Sequence, residues 1–124
     1  MMPRSAIKII FAAVIAVLCC ARRGWAAQYT VGDSLGWVPN HDYTRWINGR
    51  TFAVGDVLIF MYEKGHDVAE VTQDGWFECR AENPLFYSKN MDSYVPLERV
   101  GEHYFISTGP GDCHAGMNLK INVA

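Results

Sequence analysis

The chain lacks any cluster of basic residues. Its 11 Lys and Arg are scattered among 13 Asp and Glu, giving a net charge of -2. A nucleic-acid partner, which needs a concentrated positive footprint, is therefore not expected. It also lacks a hydrophobic run long enough to span a membrane. The apolar stretch from Ile9 to Cys20 has twelve residues, where a spanning helix needs roughly 20. No Asn-x-Ser/Thr triplet occurs, so no N-linked glycan is expected. Met117 to Ala124 is followed by no polar spacer and apolar tail, so a lipid anchor is not expected either. Repeats, low-complexity tracts and long linkers are missing, and 124 residues suit one domain rather than two. Charged residues make up only 19% and aromatics 13%, a balance that suits a packed core and not a disordered tail.

What is present at the start reads as a segment to be removed. Arg4 and Lys8 precede the apolar run, and Gly24 and Ala26 are small residues at the spacing of a signal-peptidase site. Residues 1–26 are expected to be a signal peptide, cut between Ala26 and Ala27, leaving a secreted domain over residues 27–124. Arg22 and Arg23 behind the apolar run are unusual there and leave an uncleaved signal anchor as the alternative. A buried core helix fits less well, because the run has no polar face.

Cysteine then becomes scarce. Cys19 and Cys20 leave with the leader, so the mature chain keeps Cys79 and Cys113 alone. In an oxidising compartment two such residues are most simply a disulfide, worth roughly 3 to 4 kcal/mol in the chain-entropy description. Two free thiols, or a thiol metal ligand, form the rival reading.

Helix signals are also few: Asp42 to Trp46 could form a short helical turn, and Pro84 blocks the next candidate. Short apolar runs punctuated by glycine recur instead, at Tyr29 to Val31, Thr51 to Val54, Val57 to Tyr62, Val68 to Thr72, Tyr94 to Leu97, His103 to Ile106 and Met117 to Val123. This spacing of β-branched and aromatic runs between turns predicts an all-β sandwich or barrel. Met117, Leu119, Ile121 and Val123 alternate with polar residues, as a half-buried strand does. Val57 to Tyr62 is continuously apolar and predicts a strand buried on both faces. Gln73-Asp74-Gly75 reads as a turn.

Chemistry-bearing residues concentrate late in the chain. His66 follows Gly65 in a turn, and Asp112, Cys113, His114 and Met117 fall within six positions. Imidazole, carboxylate and thioether near one turn resemble a copper loop. Each residue alone has a plainer reading, since a His in a turn is ordinarily solvated and a Met opening a strand is ordinarily core. His41 and His103 read as structural or surface positions, His103 at a strand start.

Several longer motifs resemble a known family. Tyr29-Thr30-Val31-Gly32-Asp33-Ser34-Leu35-Gly36-Trp37, Tyr43-x-x-Trp46, Phe52-Ala53-Val54-Gly55-Asp56-x-Leu58-x-Phe60 and Gly65-His66-Asp67-Val68 are similar to the opening of a phytocyanin. Pro96-Leu97, His103-Tyr104-Phe105-Ile106, Gly109-Pro110-Gly111-Asp112-Cys113 and Gly116-Met117-x-Leu119 resemble its close. The match covers essentially the whole mature chain. It implies a cupredoxin-like Greek-key β-sandwich, with Cys79 and Cys113 at the family's disulfide positions. The missing Pro/Ser-rich tail is most similar to the plantacyanin, or basic blue protein, branch.

In that family copper is held by two His, one Cys and an axial Met or Gln. The resemblance places His66 at the first histidine and Met117 at the axial thioether, but Ser107 where the cysteine belongs and Asp112 where the second histidine belongs. Blue copper needs the thiolate, and Cys113 could supply one only by giving up Cys79. His114, two residues beyond Asp112, is a possible substitute ligand. A set of His66, Asp112, His114 and Met117 would suit Cu(II) or Zn(II) more than rapid redox cycling. Loss of ligands also resembles the early nodulin-like branch, thought to act in cell-surface recognition. No cofactor is therefore expected, and the implied function is a secreted, monomeric, non-redox interaction protein of the apoplast with an unknown extracellular or cell-wall partner. The alternative is a copper-binding electron carrier, blue or with a non-blue site. An enzyme is the weakest reading: Ser107 has no Gly-x-Ser-x-Gly context, and no acid/base pair stands out.

Overall fold

The computed structural model describes residues 26–124, so the expected leader, with Cys19 and Cys20, lies outside the described residues. Seven strands form two sheets. The first holds β1 (Gln28–Thr30), β2 (Val57–Met61) and β5 (Asp92–Pro96) in the order β1-β2-β5. The second holds β4 (Phe86–Ser88), β3 (Val68–Val71), β6 (Gly101–Ile106) and β7 (Asn118–Val123) in the order β4-β3-β6-β7. All strand pairs are antiparallel except β1 with β2.

The sheets meet over Leu58, Phe60, Val95, Phe105, Leu119, Ile121 and Val123, with Trp37, Tyr43 and Trp46 closing one side. Period-two alternation explains β7, whose Leu119, Ile121 and Val123 point inward while Lys120 and Asn122 are exposed. Trp37 is fully buried, its ring edge-on to Phe60 at 5.0 Å, and its indole N–H donates to the Asp67 carbonyl at 2.9 Å. The short helix α1 (Tyr43–Ile47) falls where the sequence suggested, and the Asp42 side chain caps it by accepting from Thr44 N. Thr51 to Val54 forms no strand; Phe52 makes a single bridge to Val123.

Two further expectations are corrected, and these corrections share a cause. Strand β2 is not buried on both faces, since Val57 and Ile59 are half-buried and Met61 is 51% exposed. The doubly buried segments are β3, all of it, and His103 to Ile106 of β6. Their outer face is covered by a helix, α2 (Gln73–Glu78), in the segment read as a turn. Trp76 of α2 packs with Ala69, Val71, Tyr104, Ile106 and Cys113 in a second apolar cluster. Six residues with an interior glycine do not make a helix by propensity, so packing imposes it. Gly75 is needed there, because a Cβ would lie 2.6 Å from the Arg80 carbonyl oxygen. Thr72 supplies the cap, its Oγ1 accepting from Gly75 N.

Cys79 ends α2 in the left-handed conformation and is bonded to Cys113, with Cα atoms 5.7 Å apart. The bridge ties α2 to the loop between β6 and β7.

A hydrogen-bonded acid–imidazole pair also sits inside. Glu70 of β3 and His103 of β6 are both buried, with His103 Nδ1 2.6 Å from Glu70 Oε1 and His103 Nε2 2.8 Å from the Arg99 carbonyl. The Arg99 guanidinium donates to the other Glu70 oxygen at 2.9 Å. His103 is thus structural, as its sequence position suggested.

Both sulfurs should resist alkylation until reduced, and replacing Cys79 and Cys113 by Ser should lower unfolding stability in urea by about 3 to 4 kcal/mol. Glu70→Ala should cost about 3 to 5 kcal/mol by stranding His103. Lys120→Ala, at the exposed Lys120–Glu102 pair, should cost less than about 1 kcal/mol in the same measurement. Equal losses for these two variants would mean that burial of Glu70 is not what matters.

Candidate functional site

The site is built by two turns at one end of the sandwich. One lies between β2 and β3 and carries His66; the other joins β6 to β7 and carries Ser107, Asp112 and Met117. Gly65, at φ +101°, turns the chain into His66 in a conformation that disfavours side chains with a Cβ. After Ile106, Ser107 extends the β6–β7 pairing by donating its N–H to the Met117 carbonyl at 3.0 Å. The intervening loop folds back on itself: Asp112 N donates to Gly109 O, and Met117 N to Asp112 O, each at 3.0 Å. Asn118 Nδ2 donates to Cys113 O at 3.0 Å, beside the disulfide.

These turns converge on one oxygen. Asp112 Oδ2 is 2.6 Å from His66 Nδ1 and accepts the Ser107 hydroxyl at 2.8 Å. Ser107 is 1% exposed and Asp112 8%, while the His66 side chain keeps 26% of its surface open. Ser107 Oγ also lies 3.4 Å from the N–H groups of Asp67 and Gly109, long contacts that hold it in place. Met117 is fully buried and joins the main core, with its backbone bonded to both Ser107 and Asp112.

Space for the carboxylate depends on Gly109. A Cβ at that position would lie 2.2 Å from Asp112 Oδ2 and 3.0 Å from the Gly65 carbonyl oxygen, so the two turns close over a residue without a side chain. Beneath them Asp67 ties the turns together. Its Oδ1 accepts from Thr108 N at 2.6 Å, and its Oδ2 accepts from the Tyr87 hydroxyl at 2.9 Å and from the Thr108 hydroxyl. That bond to Asp67, followed by burial and the carboxylate's charge, holds the Tyr87 phenol above its ordinary range.

His114 is not brought to this cluster. It is exposed and lines a different groove with His41, Asn40 and Asp42. Residues 112–116 are a tight turn, so the rule that residues two apart share a face, which holds for a strand, does not apply. Glu70, which carries the buried pair with His103, was not singled out in the sequence. The signal was there as a lone acid inside Val68-Ala69-Glu70-Val71.

The arrangement is not a hydrolytic triad. In a triad the imidazole lies between hydroxyl and carboxylate and takes the hydroxyl proton. Here the carboxylate lies between them, and the Ser107 proton faces Asp112 rather than His66.

Two packed β-sheets, a long β6–β7 loop and a disulfide from that loop to a covering helix define a cupredoxin-like sandwich. The comparisons with known proteins agree. A family model described as a plastocyanin-like domain matches residues 37–117. The chain is 38% identical to the blue copper protein of Pisum sativum over 93% of its own length, and 32% identical to early nodulin-like protein 17 of Arabidopsis thaliana, again over 93%. It spans 61% of the length of the pea protein, 69% of that of the nodulin-like protein and 51% of that of an Arabidopsis uclacyanin. Among solved structures, cucumber basic protein, a blue copper protein, aligns with a TM-score of 0.72 at 33% identity, covering 79% of this chain and all of that one. The chain belongs to the phytocyanins, within the plastocyanin-like family.

The residues present do not fit blue copper. Such a centre takes two imidazoles and a thiolate with a weak axial ligand. This end of the sandwich offers one imidazole, one thioether, a hydroxyl and a carboxylate, and three of those groups are already bonded to one another. Among the described residues no set of three or more His, Cys, Asp or Glu is placed to hold a metal. Among the described residues, the buried side-chain polar atoms left without partners are the indole nitrogens of Trp46 and Trp76, neither of them part of this cluster.

Gly109→Ala should push Asp112 out of the cluster, loosen His66 and cost about 1 to 3 kcal/mol, the range for forcing volume into a packed site. A variant as stable as the parent, with unchanged His66 ring resonances in NMR spectra, would show that the turns have room the structure does not indicate.

Proposed function

We propose that this protein is a secreted phytocyanin domain that has exchanged its copper centre for a Ser–Asp–His hydrogen-bonded cluster and works as a non-redox, extracellular interaction module. One observation carries the reading: Asp112 Oδ2 draws in both His66 Nδ1 and Ser107 Oγ. In this reading the residues at three ligand positions satisfy one another by hydrogen bonds to a carboxylate oxygen instead of converging on a cation. A serine hydroxyl is neutral near pH 7 and is a poor ligand for Cu(I). Without a thiolate the electron-transfer character of a blue centre has no basis. Residues 1–26 act as the signal peptide in this account, and release into the apoplast follows from its removal. No helix among the described residues is long and apolar enough to cross a membrane.

Copper-dependent electron transfer is the second reading. It is favoured by the retention of His66 and Met117 and by the relatives, which include blue copper proteins. The two readings differ in the electronic spectrum. Only copper bound to a thiolate gives the intense visible absorption of a blue site.

The purified protein should stay colourless when copper is added. The double change Ser107→Cys with Asp112→His should restore two imidazoles and a thiolate over Met117, and that variant should turn blue. Ser107→Cys alone should bind copper more weakly, since Asp112 still holds His66 and the second imidazole is missing. Blue colour in the parent protein would overturn the metal-free reading. A folded double variant that remains colourless would mean that the loop geometry, and not only the ligand set, has diverged.

A further inference from the structure

The groove over which His66 opens has its own chemistry. It measures about 650 Å³ and is lined by Lys64, His66, Asp67, Tyr87, Lys89 and Asn90, with Gly65 and Met91 completing the lining. That volume lies in the range of small-ligand sites, roughly 300 to 1,000 Å³.

Its rim is cationic. Lys64 and Lys89 are exposed and stand on different loops, and neither pairs with an acidic group among the described residues. The acids at the groove, Asp67 in its lining and Asp112 behind His66, are already committed. Asp67 is bonded to Thr108 and Tyr87, and Asp112 to His66 and Ser107. Glu63 and Asp92, adjacent in sequence to the lining, do not line the groove.

Its walls are preorganised. Tyr62 N donates to Met91 O at 2.9 Å, and the Tyr62 hydroxyl donates to Ser88 O at 3.0 Å, which joins the loop carrying Lys89 to the end of β2. Ser93 Oγ donates to Asn90 O at 2.7 Å, fixing the same loop from β5. Asp112 holds His66 by Nδ1, leaving Nε2 as the ring nitrogen free for the groove. Sites fixed in this way lose little entropy when a ligand binds. Tyr87 is 49% exposed, so part of its ring is available as a flat apolar surface.

Two exposed ammonium groups, an amide, an imidazole nitrogen and an open aromatic ring suit an anionic, hydroxyl-rich ligand with an apolar face. We propose that this groove binds a small acidic saccharide of the uronic-acid type. Its carboxylate lies between Lys64 and Lys89, its hydroxyls bond Asn90 and His66 Nε2, and its C–H face rests on Tyr87. The assignment rests on the reading of this end of the molecule as a metal-free binding surface, and it names the class of ligand.

The test is an NMR titration of the purified, disulfide-intact protein with a disaccharide of two uronic acids, and with the same disaccharide carrying both carboxyls as methyl esters. The acid should shift amide signals of residues 64–67 and 87–91, and the uncharged ester should bind at least about tenfold more weakly. The Lys64→Ala, Lys89→Ala double variant, altered only at exposed positions, should keep the remaining spectrum and lose about tenfold in affinity for the acid. Binding should weaken as salt rises. Equal binding of acid and ester, shifts confined to the groove of His41 and His114, no shifts at all, or an unaffected double variant would each overturn the assignment. The copper experiment stands apart from these outcomes: a colourless protein that ignores the diuronate loses this ligand class alone, whereas a blue parent protein loses the metal-free reading itself.

Discussion

Asp112 Oδ2 receives an imidazole nitrogen from one turn and a serine hydroxyl from the other, and the geometry of this end of the sandwich follows from that double contact. A buried carboxylate is costly unless it is bonded, because the lost hydration must be replaced. Here the replacement comes from residues 46 and 5 positions away in sequence. The carboxylate therefore fixes the tertiary arrangement of the turns as well as the local shape of its loop. Gly109 leaves it the room, and the Asp112 backbone oxygen, accepting from Met117 N, couples it to the start of β7.

The scaffold reaches the same loop from the other side. Cys113 follows Asp112 directly and is held to Cys79 at the end of α2, and α2 in turn covers the outer face of β3 and β6. A chain of covalent and packing contacts thus runs from the covering helix to the carboxylate. His66 is positioned differently, by a glycine-dependent turn and by its bond to Asp112. Its ring keeps an open edge because this turn lies at the surface. The site is therefore braced on the loop side and open on the His66 side.

Sequence patterning made the all-β class, the disulfide, α1 and the inward face of β7 legible, because each rests on a local signal: alternation, a capping Asp42, a scarce pair of cysteines. Helix α2 was hidden because Gly75 and Asp74 look like turn residues; the packing of Trp76 on β3 and β6, with the Thr72 cap and the disulfide at its end, stabilises the helix. The same omission led to the wrong face assignment for β2, since a long apolar run suggested two-sided burial that the cover of α2 gives to β3 and β6 instead. At the site, the family resemblance picked out Ser107, Asp112, His66 and Met117 one by one. Their bonding was not legible, because a contact between positions 66 and 112 has no period or spacing. His114, a possible substitute ligand by its nearness in sequence, lies on a turn that carries it to the groove of His41 instead.

A cupredoxin site that simply lost its thiolate and one imidazole would leave buried polar groups facing one another without partners, and each would cost about 1 to 3 kcal/mol. The pair of residues found here avoids that cost. Serine at position 107 supplies a donor, aspartate at position 112 an acceptor that serves two donors at once, and His66 supplies the second donor. Serine with a second histidine would leave no anionic acceptor, and cysteine with aspartate would replace a strong donor by a weak one. In the proposed reading the two substitutions are therefore interdependent: either alone gives a poorer metal site and a weaker hydrogen-bonded network. Together they give a closed network that is stable without an ion, and they leave His66 Nε2 free to face whatever enters the groove.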